Sequence, residues 1–262
     1  MELTTIDTNN YAVMAKAMGM SAEVSDKKSS SLPRLRINHS PIIGADKVLV
    51  KAGTLRLEVP DGPTYYGESA VIRPYMQRFM YKRFIKGMGD NPNRYVKTVM
   101  ADNLNMDLKD NDGGFNCGKP AGYIEDFKAL PQAMQDLIRQ IKRVRAVFGT
   151  IKLANAVTPK GDSVKVDVHP FIWEIDNDDA FKEIGNIFAK IEKMQRLPVQ
   201  HDIALNTTQR ELPNGNSFYL PAVTLNLNNT LSIEETEHNT FSDFLSWIEN
   251  YNTYIFNAWT TK

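Results

Sequence analysis

The chain has 262 residues, enough for one large domain or two small ones, and its 42% apolar and 10% aromatic shares argue against a disordered protein. Lys plus Arg and Asp plus Glu number 31 each, so the bulk charge of zero names no polyanionic partner. One cysteine, Cys117, excludes an intramolecular disulfide framework and suits a reducing compartment. No apolar run approaches the roughly 20 residues of a membrane span, and the first residues lack the layout of a secretory signal. The expectation is a soluble, cytoplasmic protein with no membrane partner (host cytoplasm if the chain is viral).

Residues 1–31 read as a flexible N-terminal arm, with a Met/Ala patch from Tyr11 to Met20 and a linker-like stretch from Ser21 to Ser31. Residues 32–262 read as a single domain. From Lys47 the apolar period becomes two, placing Leu55, Leu57 and Val59 on one face of a strand, with a tight bend or bulge at Gly53 and a turn at Pro60–Pro63. A second strand is expected at Tyr95–Met100, then a long polar, Gly-rich loop from Asp102 to Lys119. Met134, Leu137, Ile138 and Ile141 have helical spacing. Arg143–Leu153 and Val164–Ile175 read as a hairpin, and Asp176 or Asn177 can cap a helix carrying Phe181, Ile184, Phe188 and Ile191. Strand-like runs at Val199–Leu205 and Ser217–Leu227 flank Pro213–Gly215, and a helix from about Thr240 to Trp259 closes the chain. The sum is an α+β, predominantly β fold: an elaborated OB-like barrel or a curved antiparallel sheet, with inserted and C-terminal helices.

The segment Arg73–Lys86 interleaves five cations with four aromatic rings and holds no carboxylate. Single-stranded nucleic acid needs both residue types, since phosphates attract Lys and Arg while unstacked bases lie on Phe and Tyr. The candidate contacts within it are Arg73, Tyr75, Arg78, Phe79, Tyr81, Lys82, Arg83, Phe84 and Lys86, with Arg94 and Lys97 following. A second basic stretch adds Lys142, Arg143, Arg145 and Lys152, whereas residues 212–262 hold five acids and one base, Lys262. A groove floored by strands and lined by cations is how an OB-type barrel tracks a phosphate backbone. The bland alternative is a strand or helix alternating core rings with solvated cations.

Three other constellations have simpler readings. Asp112–Pro120 carries glycines at 113, 114 and 118 that free amides for a phosphate, but Pro120 after Lys119 breaks the P-loop pattern, and a structural turn explains the glycines. Cys117 has no assignable His or Asn partner for nucleophilic chemistry. Glu174, Asp176, Asp178 and Asp179 could hold Mg²⁺ for a nuclease, yet they straddle a helix start where acids are favoured. His39, His169, His201 and His238 are scattered, and no zinc spacing occurs. No catalysis, cofactor or metal is expected.

Val71–Tyr81, Gly113–Gly118 and Phe171–Phe181 together resemble the single-stranded DNA-binding proteins of tailed bacteriophages, over about Leu32 to Lys193. The resemblance implies an OB-like protein that coats single-stranded DNA during replication, recombination and repair, without sequence preference or catalysis. It departs from that family in lacking the zinc-binding cysteines of the T-even type and a free acidic tail. Replication or recombination proteins and further copies of the chain are additional candidate partners. The rival expectations are a virion structural or assembly protein and a Mg-dependent nuclease.

Overall fold

The computed structural model describes residues 31–262 other than Met88, Asp90, Asn91, Pro213, Asn214 and Lys262. The flexible arm expected at residues 1–31 therefore lies outside the described residues, except for Ser31. Leu32–Lys262 forms one compact unit in which strand outweighs helix, 37% to 27%, so the fold is mixed and mostly β.

Eleven strands are described: β1 (Arg34–Ile37), β2 (Ile42–Ile43), β3 (Val48–Val50), β4 (Leu55–Glu58), β5 (Thr64–Gly67), β6 (Ser69–Ile85), β7 (Arg94–Lys97), β8 (Ile141–Ala154), β9 (His169–Ile175), β10 (Ile203–Glu211) and β11 (Ser217–Leu225). The helices are α1 (Gln132–Gln140), α2 (Asp178–Lys193) and α3 (Glu235–Thr260). The main sheet runs β11-β10-β6-β8-β9-β1-β4-β5, with β7 paired to the far end of β6. All its pairings are antiparallel except β1 with β9. The path is open at β11 and β5, so among the described residues it makes a curved sheet and no closed barrel. Curvature brings β11 towards the start of the domain, where the Tyr219 N–H donates to His39 Nδ1 at 3.4 Å and the Thr207 hydroxyl donates to the Gly53 carbonyl. Gly53 itself turns at φ +80°, the tight bend expected from its sequence.

Both faces of the central strands are covered. On one side Ile72, Val147, Ile151, Phe171 and Trp173 meet Ala180, Ile184 and Phe188 of α2. On the other, Tyr75, Met80, Val144 and Phe148 meet Phe244 and Ile248 of α3. Each fully buried side chain of this size contributes roughly 1.5–3 kcal/mol. A smaller cluster of Tyr81, Val96, Leu108 and Cys117 closes the far end of β6.

The helices begin where the sequence allows them to. The Asn177 side chain accepts from the N–H groups of Asp179 and Ala180 at 3.0 and 3.1 Å, and Asp178 and Asp179 occupy the first turn beside the positive end of the dipole. At α3 the Glu234 N–H donates to Glu237 at 2.9 Å, half of a capping box. The acidic C-terminal part is thus a docked helix. Several boundaries differ from expectation: β9 begins at His169 because the run from Ala156 to Val168 holds only isolated bridges, and Val199 lies in a 3₁₀ turn (Pro198–Gln200) ahead of β10. Among the described residues no helix is long and apolar enough to cross a membrane.

Candidate nucleic-acid interface

Strand β6 carries most of the predicted contacts, and the fold divides them sharply. Arg73 is clamped: Nε donates to the Val199 carbonyl at 2.7 Å, Nη2 to the Ser232 carbonyl at 2.6 Å, and Nη1 bridges to Glu237 at 2.8 Å. Tyr75 is 7% exposed with its ring edge-on to Phe244, and Tyr81 is 4% exposed with its hydroxyl donating to the Leu104 carbonyl. Burial raises the pKa of both phenols. These three residues are structural, which corrects the expectation that they face a nucleic acid.

Arg145 requires the same correction. It is 8% exposed, hydrogen-bonded to Gln77, and held between the rings of Phe79 at 4.9 Å and Phe181 at 4.4 Å. Desolvation lowers its pKa to about 10. No carboxylate pairs with it among the described residues, so the Gln77 oxygen and the ring faces supply what charge stabilisation it has. Gly185 makes room for it: a Cβ there would lie 2.5 Å from the guanidinium. Phe79, half-buried beneath Arg145, is not open to stacking either.

Towards the end of β6 the pattern changes. Lys82 stands opposite Lys97 of β7 and Lys142 of β8, making a row of three lysines across one face. Like charges directly opposite are destabilising unless compensated. Compensation comes from β9 and its end, where Asp176 lies 2.8 Å from Lys82 and Glu174 lies 3.3 Å from Lys97. Lys142 is exposed and has no carboxylate partner among the described residues. Two residues along the same face, Phe84 and Tyr95 sit opposite each other, 44% and 52% exposed, with ring centroids 5.1 Å apart. Lys86 follows, also exposed.

The remaining cations are distributed around this end. Arg94 forms a two-pronged pair with Asp112 at 2.8 and 3.0 Å, Arg78 meets Asp102 at 3.2 Å, and Arg143 meets Asp178 at 3.0 Å. Arg83 is half-buried, its Nε without an acceptor among the described residues. Lys152 is exposed but lies ten residues along β8 from Lys142, about 33 Å at the rise of an extended strand, beside a separate cleft of about 740 Å³. It does not belong to the cluster.

Tyr95 is the functional candidate that sequence reasoning missed, although its position between Arg94 and Lys97 repeats the aromatic-basic signal of β6 in short form. It also lines a cleft of about 580 Å³ that runs past Lys82 to Arg34, Arg36 and Tyr219, with Glu174 and Asp176 on its wall. The cleft exists because the sheet curls β11 towards β1.

The Gly-rich loop and the acids take their structural readings. The buried Asp110 carboxylate accepts from the N–H groups of Asp112, Gly114 and Cys117 at 2.9–3.0 Å, so the amides that a phosphate would need are already satisfied. Cys117 is buried and its thiol is pushed up to about 12 by desolvation, with Asp110 adding to the shift. That is the reverse of an activated nucleophile. Glu174, Asp176 and Asp178 each sit against a cation, and among the described residues no three His, Cys, Asp or Glu side chains converge to hold a metal.

No protein family, curated protein or solved structure matches this chain.

Proposed function

We propose that this protein binds single-stranded DNA without sequence preference and without catalysis, coating exposed strands during replication, recombination and repair. The observation that carries the reading is the lysine row Lys97–Lys82–Lys142 beside the open Phe84–Tyr95 ring pair. Three lysines in register weaken a strand pairing and are only partly answered by Asp176 and Glu174, and the two paired rings still leave much of their apolar area in water. A strand of nucleic acid uses both, its phosphates on the lysines and its bases on the rings. Lys86 and the cleft leading to Arg34 and Tyr219 extend the surface in two directions. The phage context is what the resemblance noted above implies.

The test is fluorescence anisotropy with labelled poly-dT and a duplex control, on the parent chain and on the double variant Phe84→Ala/Tyr95→Ala. Tight binding to the single strand that weakens with salt, and its loss in the variant, is the expected result. A parent chain that ignores poly-dT at low salt overturns the reading, and the exposed rings then become a contact in a viral assembly, to be sought by cross-linking.

A further inference from the structure

A second group of rings stands on the same face of the sheet, at the C-terminal end of α3. Lys109 lies between two of them, its Nζ 4.2 Å from the centre of Phe256 and 4.1 Å from that of Trp259. Phe115 meets Trp259 edge-on at 5.7 Å. Phe115 and Phe256 are 42% and 45% exposed. The residues come from two elements. Phe256 and Trp259 are three apart on the helix and so share a side, while Phe115 lies across a bridge from Lys109.

Register links this group to the lysine row. Val99 donates to the Lys109 carbonyl and Asn111 to that of Lys97, around the Thr98–Asp110 bridge. Alternation therefore places Tyr95, Lys97, Lys109 and Phe115 on one face. Tyr95 and Phe115 are separated by about 15–20 Å, counting residues along β7 and strands across. Lys82 and Lys97 are answered by carboxylates, but Lys109 has rings for neighbours and no carboxylate partner among the described residues. The two ring faces attract that cation but, being neutral, do not cancel its charge.

We infer that the single strand continues from the Phe84–Tyr95 pair to Phe115, Phe256 and Lys109, a second station that takes further bases and a phosphate of the same strand. This rests on the proposed function. The span corresponds to about four to six nucleotides at the 3.4 Å spacing of a stacked strand, within the usual range for one domain.

The experiment compares dT oligomers of about 4 and about 16 nucleotides, spanning the range of site sizes for such domains, on the full chain. The parent binds the longer oligomer more tightly. The double variant Lys109→Ala/Phe256→Ala loses that gain, about 5- to 150-fold for each base no longer stacked, and keeps its affinity for the short one. Lys109→Met, which retains the side-chain stem between the rings, serves as the variant that leaves α3 docked; it shows a flatter salt dependence on the long oligomer only. Thermal melting confirms that both variants fold. Equal binding of the long oligomer by the parent and a folded double variant overturns the second station and leaves the first intact. Failure of the parent to bind either oligomer overturns both.

Discussion

Strand β6 is one continuous ribbon with two fates. From Ser69 to Met80 it is covered on one face by the core under α2 and on the other by that under α3, and its Arg73 is tied down by three groups. From Lys82 to Ile85 neither helix covers it: Lys82 is held by Asp176 instead, and the Phe84 ring stands open. Both parts mix cations with aromatic rings. What separates them is coverage by elements that arrive from far along the chain, so residue type alone could not mark which half is structural and which is a surface for something else.

Substitutions can break this contrast in order of size. Phe244→Ala, which opens a cavity against Tyr75 and Phe148, should destabilise the protein by about 3–5 kcal/mol in chemical denaturation while leaving the affinity of the folded fraction for poly-dT unchanged. Arg73→Ala removes three charge-assisted contacts from the covered half; a loss of about 1.5–3 kcal/mol of stability, with the salt slope of DNA binding unaltered, is expected. A changed slope in that variant would mean that Arg73 reaches phosphate after all. Tyr95→Ala inverts the pattern, costing about 1–3 kcal/mol of binding in anisotropy titrations and, as a surface change, less than about 0.5 kcal/mol of stability.

The smallest effect concerns the carboxylates. Glu174→Gln with Asp176→Asn releases Lys97 and Lys82, so binding should tighten and the log–log salt slope should steepen by about 0.7 for each lysine that gains a phosphate. An unchanged slope would show that these lysines stay out of the contact even when unpaired.

The sequence carried much of this fold in its local signals. Alternation marked β4 and β8, helical spacing and Asn177 marked α2, Gly53 marked a bend, and Pro60–Pro63 marked the turn between β4 and β5. It also marked the aromatic-basic strand, and Lys82, Phe84, Lys97 and Lys142 do gather at one end of it. The burial of Tyr75, Tyr81 and Arg145 was not legible, because alternation separates a wet face from a dry one only when one face is wet. Pro74, Tyr75 and Met76 are consecutive and all buried, since the strand bulges there between two cores. Nor could spacing show that Asp110 had claimed the amides of the Gly-rich loop, a contact visible only once the loop is closed. Local pattern does not single out Tyr95 for a related reason: its partner in the ring pair is Phe84, reached across a strand pairing that no local pattern encodes.

The bond between Arg73 and Glu237 joins residues 164 positions apart. At a synthesis rate of about 5–20 residues per second, β6 would leave the ribosome some 8–30 seconds before the helix that seals its Tyr75–Met80 face. Until α3 emerges the Tyr75–Met80 face lacks its cover, and its apolar surface is available to any neighbouring nascent chain. The protein's greatest vulnerability to aggregation should therefore lie in its own biosynthesis, and chains cut short before α3 should accumulate as insoluble material even though every strand of the sheet is present.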